Sequence, residues 1–539
     1  MSVLFVTNSF AFSKKHYKAD TVETEFGPVQ GVPTFYGTKY LGLPYAASPE
    51  GDLRWRAPVD PEIWTTPLVA DTFGPNCPQT ASPFGLPSVT EDCLSLNIYQ
   101  PRDFYLRKHS RGSFSLFRDA RYSQKFSKRL KPVMVWIHGG AFQYGEGQDW
   151  DPAKLVKQGV VVVTLNYRLG ALGFLAHPEL SESSPNGVSG NYGILDQQKA
   201  LRWVKNNIVR FGGDPDNVTI FGESAGGLSV HTHLVSPESE SLFHRAIIQS
   251  GAYALAPPEL STWEFLGTGI AANMGCSEQV TDDVADCLRH LSVEDILNGQ
   301  DPGAVGYLPN VDGLTLPMTI IGALQTGQFH RVPVIQGSNN DEYTLFTSLL
   351  FELAGTPITE AFYPTAINIG LGIPQEAIPL VTAQYPLENY DTPAQALSAI
   401  GTDVLFACPA QTSAQLLSQY VPTYSYEFND KNAPQIYLPS VSFPYGAYHV
   451  AEVQYLMEPK NPFPMEPLNR KQRRLSRQMV NYWTSFARFG LPLHHAAPFW
   501  NSYDVNSQTV QSLQPPRINS TSDFNLRHKC DFWAGLMTQ

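Results

Sequence analysis

The chain has 539 residues, with 37 Lys and Arg against 49 Asp and Glu, a net charge of −12, 42% hydrophobic and 16% charged residues. That balance belongs to a folded core rather than a disordered chain, and its sign argues against nucleic acid as the main partner. No apolar run reaches the roughly 18 residues that a membrane span needs, so no transmembrane segment is expected.

The chain opens on "MSVLFVTNSFAFSKKHYKAD", whose apolar run after Ser2 is only four residues long. This lacks the core of a signal peptide. Residues 1–21 are read as an N-terminal extension and 22–539 as a single domain. After the strand-like "LNIYQ" (96–100), residues 102–131 carry ten Lys or Arg and two Asp, so the rest of the chain holds −20. This basic insertion reads as a solvated surface loop remote from any site, with anionic-surface binding as the alternative.

Strand-like runs then recur: "VMVWIHGG" (133–140), "GVVVVTLNYR" (159–168), "VTIFGES" (218–224), "RAIIQSG" (245–251) and "VPVIQGS" (332–338). Near-continuous β-branched runs fit strands buried on both faces. Between them, "DQQKALRWVKNNIVRFGG" (196–213) has apolar residues at helical spacing and stops at a Gly pair. The basic cluster "RKQRRLSR" (470–477) opens another helical stretch and reads as its outer face. Alternating strand and helix implies an α/β fold with a mostly parallel sheet, whose sites form at the carboxyl ends of strands.

One such end is "VTIFGESAGGLSV" (218–230), a G-x-S-x-G between strand and helix. That context marks a nucleophile elbow. Ser224 needs a base to become reactive, the flanking glycines let the turn close, and the Ala225 N–H opens a helix and faces a developing oxyanion. "WIHGGAF" (136–142) supplies a second glycine-rich loop after a strand.

These stretches resemble the type-B carboxylesterase/lipase family, which includes cholinesterases and has the α/β-hydrolase fold. "FGGDPDNVTIFGESAGG" (211–227) is similar to its serine signature, and "EDCLSLNIYQP" (91–101) to its second, with Ser95 where a bulkier residue is usual. "GNYGILDQQKALRWVKNNI" (190–208) and "MVNYWTSFARFG" (479–490) also match. The resemblance implies a serine hydrolase acting on small carboxylic esters, without cofactor or metal. Its acid loop matches "GSNNDEYTLF" (337–346), which makes Glu342 the acid, with Asp341 as the competitor. Its histidine segment matches "GAYHVAE" (446–452), hence His449. The oxyanion donors become the N–H groups of Gly140, Ala141 and Ala225, and Glu223 matches an acid the family keeps beside the serine. The six cysteines match three bridges, Cys77–Cys93, Cys276–Cys287 and Cys408–Cys530. Bridges imply an oxidising, secretory compartment. Of the sequons, Asn217 enters a strand, which leaves Asn519 as the glycosylation candidate.

Some relatives are adhesion proteins that have lost the serine, which this chain keeps. Between Cys77 and Cys93 lie only fifteen residues, with Phe84 the sole aromatic. That is a poor interfacial flap and lacks the tryptophan cholinesterases turn toward a quaternary ammonium. Soluble esters are therefore expected before lipids or choline esters, with lipase or sterol esterase and acyl-transferring tailoring enzyme as the alternatives.

Overall fold

The computed structural model describes residues 21–102, 106–108, 114–116, 130–301, 306–460 and 466–537. The expected extension is thus described only from Thr21. Most of the basic insertion also lies outside the described residues. Two of its stretches, Leu106–Lys108 and Phe114–Leu116, pair antiparallel.

Eleven strands form the main sheet: β1 (Val32–Pro33), β2 (Gly37–Pro44), β3 (Ser95–Pro101), β4 (Lys131–Ile137), β5 (Val161–Leu165), β6 (Gly213–Glu223), β7 (Arg245–Gln249), β8 (Val334–Asn339), β9 (Thr423–Phe428), β10 (Val510–Leu513) and β11 (Asn519–Thr521). Their spatial order is β1-β2-β3-β5-β4-β6-β7-β8-β9-β10-β11. From β5 to β10 all neighbours run parallel, while β1 to β3 and β11 add antiparallel edges. This is the mostly parallel α/β sheet expected, and it runs further at both edges than the apolar runs alone indicate.

The β-branched runs are buried on both sides because each strand feeds two cores. In β4, Val133, Val135 and Ile137 join one core while Met134 and Trp136 join the other. The period of two in a pleated strand requires this division. The first core is roofed by α1 (Tyr192–Asn207) and α2 (Ala225–Val235), the second by α3 (Arg470–Phe489). Helix α3 starts with a reciprocal cap, Asn469 accepting from Gln472 N and Gln472 Oε1 accepting from Asn469 N. Its Met479, Trp483 and Phe486 face the sheet, and Arg470, Lys471, Arg473 and Arg474 are exposed. The basic cluster therefore lies within the helix, on its outer face.

Disulfides join Cys77 to Cys93, Cys276 to Cys287 and Cys408 to Cys530. The last ties the helix Cys408–Ser418 to the C-terminal helix Cys530–Met537. No helix among the described residues is long and apolar enough to cross a membrane.

Candidate active site

The carboxyl ends of β4, β6, β7 and β8 sit side by side, and each delivers polar groups to one place. At the end of β6, Ser224 has φ 56° and ψ −124° and is the cap of α2. A non-glycine residue held there is strained, and such strain persists only where its surroundings impose it. The glycines permit it: a Cβ on Gly226 would stand 2.0 Å from Ile137 O, and one on Gly222 2.4 Å from Gly226 C. The elbow therefore packs directly onto the end of β4. Ser224 N donates to Gln249 O at 2.9 Å, which fixes the turn to β7. Ala225 begins α2, so its N–H is among those a helix leaves unpaired.

After β4, Gly140 (φ 103°), Ala141 (φ 55°) and Phe142 (φ 58°) turn in the left-handed region. The loop is closed by bonds of 2.9 Å from Gln143 N and Tyr144 N to Gly140 O. It is also pinned to the first disulfide loop. Gln79 Nε2 donates to Gly145 O at 3.1 Å, and Gly145 N donates to Gln79 Oε1 at 2.9 Å.

After β8, Asp341 and Glu342 separate into two roles. Glu342 is fully buried and its Oε2 lies 2.6 Å from His449 Nδ1. Its Oε1 accepts from Asn339 N at 2.7 Å and Ser250 Oγ at 2.5 Å. Asp341 Oδ2 instead accepts from Ala447 N at 2.8 Å. Gly446 (φ 65°) makes that approach possible, since a Cβ there would stand 2.3 Å from Asp341 Oδ2. Asp341 anchors the histidine loop, and Glu342 touches the imidazole.

The His449 ring packs against Phe346 and Phe406, each with centroids at 5.0 Å. Its Nε2 makes no hydrogen bond among the described residues and lies 3.1 Å from Glu223 Oε1. Ser224, His449, Gly140, Ala141 and Glu223 all line one cavity of about 130 Å³. Burial pulls His449 down, but Glu223 and Glu342 overcome it and hold the imidazole up at about 9. Burial pushes Glu223 up to about 8; His449 opposes this, while Glu452 and Glu342 add to it. The two groups are one proton-sharing unit, each ion stabilising the other.

The sequence reading did not single out Ser250, Glu452 or Asp149. Glu452 accepts from Gln249 Nε2 at 2.9 Å and Asn339 Nδ2 at 2.6 Å beneath the site. Ser250 directly follows strand β7 in the "RAIIQSG" run, beside the elbow strand, so the carboxyl-end rule could have flagged it. His231 and His233 are core residues, bonded to Ser413 Oγ and to Ser239 Oγ and Gln197 Oε1.

The model of the Carboxylesterase family matches residues 18–533. The chain is 35% identical over 536 residues to an acylcarnitine hydrolase of Mus musculus, covering 94% of this chain and 88% of that one. It is 34% identical over 515 residues to the pyrethroid hydrolase Ces2e of Rattus norvegicus, covering 90% and 83%. It is 32% identical over 514 residues to the para-nitrobenzyl esterase of Bacillus subtilis (strain 168), covering 91% and 94%. The structure of a thermophylic PNB esterase superposes with a TM-score of 0.75 at 30% identity, over 95% of this chain and 99% of that one.

Proposed function

Because the chain belongs to the carboxylesterase family and is a serine hydrolase of carboxylic esters, we propose that its reaction runs through Ser224, His449 and Glu342. Ser224 Oγ attacks the ester carbonyl carbon and its proton passes to His449 Nε2. The carbonyl oxygen becomes an oxyanion facing the N–H groups of Gly140, Ala141 and Ala225. Collapse expels the alcohol, which takes the proton from His449 and leaves an acyl-serine. Water then attacks the acyl carbon with His449 again as base, and the acid departs as Ser224 recovers its proton. Glu342 holds the Nδ1 side of the ring and stabilises its charged form.

One observation carries this reading: Nδ1 of His449 is held 2.6 Å from Glu342, which leaves Nε2, 3.1 Å from Glu223, as the free nitrogen of a ring that lines the same cavity as Ser224. The Ser224→Ala variant is expected to lose far more than a hundred-fold in turnover of a short p-nitrophenyl ester, and an organophosphate is expected to label Ser224. Turnover above about a hundredth of the parent rate would overturn the assignment.

Substrate access supports soluble, monomeric esters. The Cys77–Cys93 loop is short and held to the oxyanion loop through Gln79 and Gly145, which suits a fixed wall better than an interfacial lid. Three bridges support maturation in an oxidising, secretory compartment. Asn519 is exposed on β11 and Asn217 half-buried beside Arg245, which makes Asn519 the sequon open to glycosylation. Titration of the denatured, unreduced protein with a thiol reagent should find no free thiol, and a glycosidase should remove mass only if Asn519 is present.

A further inference from the structure

We propose that Asp149 is a specificity-determining residue that directs this site toward esters carrying a protonated amine. The inference rests on the reading that ester chemistry occurs at Ser224.

The catalytic cavity has a second wall that the reaction itself does not use. Asp149, Trp150, Tyr144, Tyr437 and Phe84 also line it. Asp149 Oδ2 accepts from Glu146 N at 2.9 Å, and Oδ1 accepts no hydrogen bond among the described residues. Glu223 lines the same space, is only 4% exposed, and its Oε1 lies 3.1 Å from His449 Nε2. No Lys or Arg among the described residues lines the cavity. Lys460, the cation that acts on Asp149, acts also on Asp151 and Glu146, and burial brings it down to about 8. Beside its oxyanion donors and phenols, the cavity thus offers carboxyl oxygens and aromatic faces, with no lysine or arginine in its wall.

Tyr437 shows where the fields meet. Burial, then Asp149, then Glu223 push its phenol well up, so both carboxyls act on one point of the wall. Phe84 stands edge-on to this ring at 5.2 Å.

Burial and Glu146 hold the Asp149 carboxyl well above the usual range. A half-buried carboxyl on a cavity wall is drawn to its charged form when an opposite charge arrives. An ammonium brings that charge together with an N–H donor for Oδ1, and its alkyl groups lie against the aromatic faces. A neutral alkyl group of the same shape brings neither, and leaves Oδ1 without a donor. The N–H requirement also separates this recognition from that of a quaternary ammonium.

Two isosteric pairs test the inference. One is 2-(dimethylamino)ethyl butyrate against 3-methylbutyl butyrate. The other, with the amine on the acyl side, is ethyl 4-(dimethylamino)butyrate against ethyl 5-methylhexanoate. Wild type is expected to favour the ammonium member of at least one pair by about ten-fold in kcat/KM, the scale of one hydrogen bond to a charged group. Asp149→Asn and Asp149→Ser should each bring that ratio to within two-fold. Because the readout is a ratio within one preparation, partial misfolding cancels. Equal rates for both members in wild type, or a ratio unchanged in both variants, would overturn the proposal. Turnover of the neutral esters that survives Ser224→Ala would instead overturn the assignment of the nucleophile.

Discussion

Two buried histidines in this molecule look alike by charge and differ in what they leave open. His449 and His528 are 5% and 4% exposed, each lies between two carboxylates, and each is held up at about 9 against the pull of burial. In His528 both nitrogens are engaged, Nδ1 2.5 Å from Asp403 Oδ1 and Nε2 2.7 Å from Glu427 Oε1. The surrounding groups are closed as well: Tyr385 donates to Asp403, Trp533 to Tyr385, and Arg527 to Glu427. In His449 only Nδ1 is hydrogen-bonded; Nε2 lies 3.1 Å from Glu223 Oε1, and both residues line the cavity that Ser224 lines. A displaced titration therefore does not by itself mark an active group. A nitrogen without a committed hydrogen bond, on a ring that lines a cavity, does, because proton transfer needs a nitrogen that can change partners.

Exchanging each histidine for glutamine gives the sharpest separation. His449→Gln should lower kcat on a p-nitrophenyl ester by on the order of 10³-fold or more, as loss of a triad base does. His528→Gln should leave kcat within a few-fold when assayed well below its unfolding temperature. Comparable losses in both would erase the distinction.

The two neighbouring acids divide in the same way. Glu342 touches His449 Nδ1, whereas Asp341 holds Ala447 N. Glu342→Gln should cost on the order of 10²-fold or more in kcat, because the amide can favour the wrong tautomer. Asp341→Asn should cost much less in kcat and show mainly as reduced stability. A larger kcat loss in the Asp341 variant would reverse their roles.

A smaller effect concerns pH. Glu223 is the charge that contributes most to holding His449 up. Its replacement by glutamine lowers the imidazole pKa, so the acid limb of kcat/KM, which reports the free enzyme's base, should move to lower pH by about one unit or more. A limb that stays put would mean Glu223 does not share the proton.

What the sequence makes legible follows the range of the interactions. The elbow at Ser224 and the glycine loop at 139–142 are local devices, in which strand, turn and helix are contiguous. The parallel strands show themselves because β-branched runs have no other reason to be continuous. Strand β9, "TYSYEF", does not, for it buries all six residues, Glu427 among them. That carboxylate is tolerable only because Arg527 and His528, a hundred positions on, reach it. Ser250 and Asp149 are hidden for the same cause: their meaning lies in Glu342 and in the cavity, and neither is adjacent in the chain. Glu342 and His449 are identified through the family's loop patterns rather than from spacing or composition.

The smallest effect on catalysis is the most informative about His528, and it appears in stability. Its pKa in the fold, about 9, lies above the ordinary 6.5. A raised histidine contributes stability that is fully present below the unfolded value and is lost as pH rises through the folded one. Glu427 has the opposite sense: despite burial, His528 and Arg527 hold its carboxyl below the ordinary 4.5, so its contribution is present above that value and fades in acid. The cluster should therefore stabilise most between about pH 4.5 and 6.5 and weaken between about 6.5 and 9. His528→Gln leaves Asp403 and Glu427 without their shared cation, a loss of about 3 kcal/mol for a buried network deprived of one partner. Urea unfolding of wild type and His528→Gln, with disulfides intact, should show the widest gap in midpoint near pH 6 and a gap that closes as pH passes 9. A gap that widens with pH would mean the imidazole is neutral in the fold.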